Sequence, residues 1–175
     1  MSAELLMSPD PITVPADKKV AEALELMCRH GVHNLPVMDN EGRFLGLFGL
    51  RNLLCALLPK AATISPALGN LDFLADNLEE VIQVLDYVAD QPVQNYLDTD
   101  NVIMVRADAP IMEVIRKLYE APTSLPVVLL REDGTHLMGM ISHWDILSKI
   151  AVQLFKDKEG FKGKCEISPQ DKGDM

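Results

Sequence analysis

Ser142 and Asp145 stand three residues apart, directly after the apolar run Leu137-Met-Gly-Met-Ile141. A hydroxyl where a helix begins can face an anion together with the free N–H groups of the first turn, and a carboxylate one turn on can accept charge-assisted hydrogen bonds. The same pair also fits a capping box, with Ser142 as N-cap and Asp145 at the third helical position, and in isolation that structural reading outweighs a binding one. His30 and His33 share a helix face and invite a metal, but no carboxylate or cysteine joins them at ligand spacing, so a fraying helix end before Gly31-Val32 is the better account. His136 and His143 have similarly ordinary roles available. The methionines Met27, Met104, Met138 and Met140 fall on core positions and read as packing, whereas Trp144, the single tryptophan, fits an interface, a ligand wall or the core, with a partly exposed interface position favoured. There is no G-x-S-x-G, P-loop, H-E-x-x-H or G-x-G-x-x-G motif, and no acidic pair isolated in an apolar context. The residues therefore predict no enzyme.

Charge narrows the partners. Sixteen Lys and Arg against 26 Asp and Glu leave a net charge of -10, which repels nucleic-acid backbones and anionic lipid. The chain has no run of about 18 apolar residues, and its first eight residues are unlike an export signal, so neither membrane span nor secretion is expected. Cys28, Cys55 and Cys165 are odd in number and widely spaced, which fits reduced thiols and a cytoplasmic setting.

The elements that would position Ser142 and Asp145 occur twice. Ile12-Thr-Val14 reads as a short strand, and Val20, Ala23, Leu24, Met27 and Cys28 as the apolar face of a helix. Ile103-Met-Val105 and Ile111, Val114, Ile115 and Leu118 repeat the arrangement, and Val14 to Val20 and Val105 to Ile111 share the same step of six. Leu35-Pro-Val37 and Leu125-Pro-Val127 each open a second strand, where an early proline costs little because the ladder donor it lacks can lie at the edge. Turn residues Asp39–Gly42 and Glu132–Gly134 then lead into Phe44–Phe48 and Leu137–Ile141, predicting two hairpins. A closing helix follows in each half, with Leu53, Leu54, Leu57 and Leu58 in one and Leu147, Ile150, Ala151 and Leu154 in the other.

The fold class is thus α/β (α+β): two pseudo-symmetric β-α-β-β-α repeats, each too thin to cover its own sheet, packed through their sheets. The expected boundaries are a first repeat at 1–58, a linker loop and helix at 59–89, a second repeat at 90–155 and a mobile tail at 156–175. Pro59 to Asp72 reads as loop and Leu78 to Val88 as helix, which Gln91-Pro92 should end; Val93, Tyr96 and Leu97 occupy the place that Leu5-Leu-Met7 holds before the first repeat.

This layout resembles a tandem pair of cystathionine-β-synthase-type (CBS) repeats over about residues 4–58 and 90–154. The most specific element is Gly-hydrophobic-hydrophobic-Ser/Thr-x-x-Asp. Gly139-Met-Ile-Ser142-His-Trp-Asp145 matches it fully, whereas Gly46-Leu-Phe-Gly49-Leu-Arg-Asn52 lacks both hydroxyl and carboxylate. The resemblance implies a regulatory module, requiring no cofactor for chemistry, that binds an adenine nucleotide (AMP, ADP or ATP) in clefts between repeats. S-adenosylmethionine or a dinucleotide is a less favoured occupant. Asp145 would take the ribose cis-diol and Ser142 the phosphate, with His143 within reach of phosphate. Adenine would lie near Ile103 and Val105 and near Leu125, Pro126 and Val127, with Thr123 and Ser124 adding hydrogen bonds. The second cleft would use Thr13, Val14, Leu35, Pro36, Val37 and Arg51, with Asn52 a neutral substitute for the diol acceptor and so weaker or no ribose binding. A homodimer through the closing helices and an unknown regulated protein are the expected partners. The alternative is a ligand-free interaction scaffold that keeps the fold.

Overall fold

A computed structural model of the chain describes residues 2–58, 78–99, 102–121 and 123–155. The loop expected over Pro59–Asp72, the tail from residue 156 and Cys165 lie outside the described residues.

In chain order the elements are α1 (Ala3–Leu6), β1 (Ser8–Pro9), β2 (Val14–Pro15), α2 (Val20–His30), β3 (Asn34–Met38), β4 (Phe44–Gly49) and α3 (Leu50–Leu57). There follow α4 (Leu78–Ala89), a 3₁₀ turn at Val93–Asn95, β5 (Val105–Arg106), α5 (Ile111–Glu120), β6 (Ser124–Arg131), β7 (Gly134–Ser142) and α6 (His143–Phe155). From β2 to α3 and from β5 to α6 the order is β-α-β-β-α, as the duplicated pattern requires. The first sheet runs β2-β3-β4 and the second β1-β7-β6-β5. In both, the short leading strand is parallel to its neighbour and the hairpin antiparallel. The sheets approach through β4 and β7.

Local chemistry explains the boundaries. Helix α2 stops at Gly31, whose φ of 62° suits a residue without a Cβ and lets its N–H reach the Met27 carbonyl. Gly42 and Gly134 adopt positive φ in the hairpin turns, at 76° and 136°. The prolines of the two Leu-Pro-Val strands, however, lie in central strands rather than at an edge. The register shows why this is tolerated. The Met38 carbonyl accepts from Ala16 on the β2 side, so Pro36, two residues earlier, faces the same way, beyond the last β2 pairing at Val14 and Val37.

Each half has an apolar core. Val14, Val20, Leu35, Val37 and Phe48 are fully buried in the first, and Val114, Leu125, Val127 and Ile141 in the second. Each such side chain contributes roughly 1.5–3 kcal/mol, whereas the ion pairs lie at the surface, where solvent screens them and they add little.

The leading segments cross over. Ala3 and Leu6 of α1 belong to the core of the second half, with the N–H groups of Ala3 and Glu4 donating to the carbonyls of Ala109 and Ala107 at 2.9 and 3.0 Å. Val93, Tyr96 and Leu97 pack in the core of the first half, where Val93 N–H donates to the Lys18 carbonyl at 2.8 Å. Ser8 and Pro9 pair with Met140 and Gly139 at the open edge of β7, and Asp98 pairs with Leu47 at that of β4. Glycine permits both approaches: a Cβ on Gly139 would lie 2.7 Å from the Met7 sulfur and the Ser8 carbonyl, and one on Gly46 would run into the Asp98 carbonyl. Each half is thereby completed by the segment that precedes the other.

Candidate functional site

The two closing helices start differently, for reasons visible in their sequences. At α6 the Ser142 hydroxyl accepts from Asp145 N–H at 3.2 Å, while the Asp145 Oδ2 accepts from Ser142 N–H at 2.7 Å and from its hydroxyl at 2.6 Å. This is a complete capping box, so the structural reading of the pair is realised. The remaining oxygen, Oδ1, accepts from the Ser8 hydroxyl at 3.0 Å. At α3 only half of the arrangement exists: Asn52 Oδ1 accepts from Gly49 N–H at 2.9 Å, and Gly49 has no side chain to return the bond.

Beside α3 lies a cleft of about 560 Å³ between the halves. Gly49, Leu50, Arg51, Asn52 and Cys55 line one side, and Val102, Ile103, Ala121, Thr123 and Ser124 the opposite one. The crossing segment supplies Tyr96, Leu97 and Asp98. Across the floor Asn34 joins the halves, its amide N–H donating to the Thr123 hydroxyl at 2.6 Å and its Oδ1 accepting from the Ser124 hydroxyl at 3.0 Å. Arg51 is exposed and makes no ion pair among the described residues. A cationic side chain, a helix start without a side-chain cap, three hydroxyl or amide groups and apolar walls can hold a small anionic molecule with one flat apolar part.

The predicted site residues are therefore regrouped. Ile103, Thr123 and Ser124 share the cleft with Arg51 and Asn52, and Ser142, His143 and Asp145 do not line it. Val105, Leu125, Val127, Val14, Leu35 and Val37 are at most 1% exposed, and Pro36 and Pro126 are also buried. Their side chains pack the cores instead of forming cleft walls, because strands covered on both faces have no side to offer. Thr13 is exposed. His143 is exposed, and its Nδ1 lies 3.0 Å from the Thr123 carbonyl, which makes Nδ1 the protonated nitrogen. Trp144 is 45% exposed, so it is not part of a core. His30 and His33 are exposed, and among the described residues no three His, Cys, Asp or Glu side chains are grouped to hold a metal ion.

Sequence reasoning missed Asn34, Ser8 and Asp98. Asn34 had a signal, since it precedes Leu35-Pro-Val37 as Ser124 precedes Leu125-Pro-Val127. Ser8 and Asp98 gave none, because their partners lie in the other half.

The family model described as "CBS domain" matches residues 3–59 and 93–152. The chain belongs to the CBS domain family. Its two CBS repeats account for the duplicated β-α-β-β-α order. Among curated proteins it is 25% identical over 113 residues to a cystathionine beta-synthase of Dictyostelium discoideum, covering 65% of this chain and 23% of the relative. It is 27% identical over 142 residues to a CBS domain-containing protein of the same organism, covering 81% and 86%. The chain thus spans less than a quarter of the length of that enzyme. Of solved structures, the CBS-pair protein CBSX2 from Arabidopsis thaliana has a TM-score of 0.65 at 23% identity, covering 89% of this chain and 97% of that one. CBSX2 is also solved in complex with AMP, with a TM-score of 0.61 at 22% identity over 87% and 97% of the two chains. These CBS structures share the fold of this chain. No helix among its described residues is long and apolar enough to cross a membrane.

Proposed function

We propose that this CBS pair is a non-catalytic regulatory module that binds an adenine nucleotide, AMP, ADP or ATP, in the cleft between its repeats and signals its presence to a partner protein. The observation that carries the reading is the cleft itself, about 560 Å³ and walled by both repeats. A ligand that touches both walls is bound best in one relative arrangement of the halves, so its binding energy biases that arrangement. The residues fit such a ligand. Arg51 and the α3 start favour a phosphate, Leu47, Val102 and Ile103 offer apolar surface to a purine, and Asn34, Thr123 and Ser124 present polar atoms across the floor. The AMP complex of CBSX2 gives the ligand class support from a protein of the same fold. Asp145 Oδ1 accepts from the Ser8 hydroxyl, so a second nucleotide whose ribose diol used that carboxylate would have to compete with Ser8. The exposed thiols of Cys28 and Cys55 are in keeping with a cytoplasmic setting.

Calorimetric titration of AMP, ADP, ATP and S-adenosylmethionine into wild type and Arg51→Ala tests this. Saturable nucleotide binding, weakened about ten-fold or more in Arg51→Ala, is the expected result. Absence of binding by all four would remove the nucleotide reading.

The second reading is a ligand-free dimerisation scaffold. One specific observation favours it: Leu50 and Leu54 on α3 and Leu58 directly after it follow at a spacing of four and are 43%, 62% and 47% exposed, while Trp144 and Leu147 on α6 are 45% and 55% exposed. Such a face is self-complementary about a twofold axis. It is compatible with nucleotide binding as well, and sedimentation of wild type against Leu54→Glu distinguishes dimer from monomer.

A further inference from the structure

We propose that Asp98 is the ribose-diol acceptor of the cleft beside Arg51, standing in for the carboxylate that the first CBS repeat lacks at Asn52. The inference rests on the nucleotide reading above and assigns a role within the same cleft. The crossing segments pair in matching registers: Ser8 lies opposite Met140, the residue after Gly139, and Asp98 opposite Leu47, the residue after Gly46. Ser8 and Asp98 are therefore pseudo-equivalent, as are Asp145 and Asn52 at the helix starts. In one half the strand carries the hydroxyl and the helix the carboxylate, joined at 3.0 Å. In the other half the carboxylate has moved from the helix to the strand.

Asn52 is a poorer acceptor for a cis-diol. Its Oδ1 accepts from Gly49 N–H at 2.9 Å, and its other terminus is a donor. Asp98 is held in place by two backbone hydrogen bonds with Leu47, at 2.9 and 3.3 Å, and lines the cleft together with Arg51 and Asn52. A carboxylate accepts from both hydroxyls of a cis-diol and repels phosphate, whereas a guanidinium does the reverse. One cleft bearing both orients a nucleoside phosphate with its ribose at Asp98 and its phosphate at Arg51. The ligand class selected is a ribonucleotide, in preference to one lacking the 2′ and 3′ hydroxyls.

The test is calorimetric titration of AMP and 2′,3′-dideoxy-AMP. All proteins compared carry Asp145→Asn, so that the α6 carboxylate cannot supply the preference. The expected result is that Asp98→Asn weakens AMP at least about ten-fold and leaves dideoxy-AMP unchanged or slightly tighter. General electrostatics would act the other way, because removing a negative charge favours an incoming anion. Asp98→Ser, which copies Ser8 of the other crossing segment, should behave the same and carries the test should the amide variant fail to fold. Equal binding of the two ligands before substitution at Asp98, or AMP binding unaltered by both substitutions, overturns the assignment and leaves the nucleotide reading standing. Absence of AMP binding by the unsubstituted protein overturns both.

Discussion

The Ser8 hydroxyl donates to the Asp145 carboxylate at 3.0 Å across 137 residues of chain. The bond ties the segment leading into the first CBS repeat to the closing helix of the second. Because it is solvent-accessible, its net contribution falls to that of an ordinary hydrogen bond, below the range for buried bonds to charged groups. Ser8→Ala is expected to lower unfolding free energy by about 1 kcal/mol, read from a urea transition. Amide exchange should show faster opening at Ala3 and Glu4, whose N–H groups bond the second half. Unchanged exchange there would show that the hydroxyl does not anchor the segment.

The cap at α6 is more than a surface contact, since Ser142 and Asp145 satisfy each other's N–H groups. Ser142→Ala should cost about 1 kcal/mol, and Ser142→Gly only a few tenths. Gly49 occupies the corresponding place at α3 without a side chain, so Gly49→Ser would be the naive way to build the missing cap. Here it should destabilise, because a Cβ at Gly49 would lie 2.8 Å from the His33 carbonyl and 2.9 Å from the Asn34 Cβ. Thermal melts of the three variants give the order directly.

Gly139→Ala places a methyl 2.7 Å from both the Met7 sulfur and the Ser8 carbonyl. The sulfur can swing away, but the carbonyl is held by the pairing of Ser8 with Met140. A loss of about 1–3 kcal/mol is expected, together with faster proteolysis within the first ten residues as the leading segment leaves the β7 edge. Stability within a few tenths of wild type would mean that the segment does not contribute to the second core as described.

The hairpin between β3 and β4 is expected to weaken in acid. Asp39 is held below the ordinary carboxylate value of 3.8, first by the Arg43 backbone N–H, which donates to Oδ1 at 2.8 Å, and further by the Arg43 guanidinium at 2.6 Å, against an opposing effect of desolvation. A carboxyl whose folded value is depressed contributes stability that is complete above its unfolded value and is lost as pH falls through the folded one. Wild type should therefore lose more stability than Asp39→Asn when taken from pH 5 to below pH 3. Parallel pH profiles of the two would show that the turn does not depend on this charge.

Much of the architecture could be read without coordinates, because it rests on short-range signals. The step of six from Val14 to Val20 and from Val105 to Ile111, the paired Leu-Pro-Val strands and the turn glycines Gly42 and Gly134 all act within a few residues of themselves. They predict the duplicated β-α-β-β-α order, and Ser142 and Asp145 predict the α6 cap, since a capping box is closed within one turn. The match to the CBS family rests on the same local patterns.

What the residues alone left open is long-range. That Leu35, Val37, Leu125 and Val127 are spent on the cores, and so cannot wall a cleft, depends on what covers the second face of their sheets. That Ile103, Thr123 and Ser124 face Arg51 and Asn52 rather than Asp145 depends on how the two repeats are turned against each other. The crossing of the leading segments was hidden for the same reason: the apolar character of Leu6 and Val93 tells that they need burial, but carries no record of which core receives them. The open edges of β4 and β7, and the two glycines that let a neighbouring backbone approach, decide that in three dimensions.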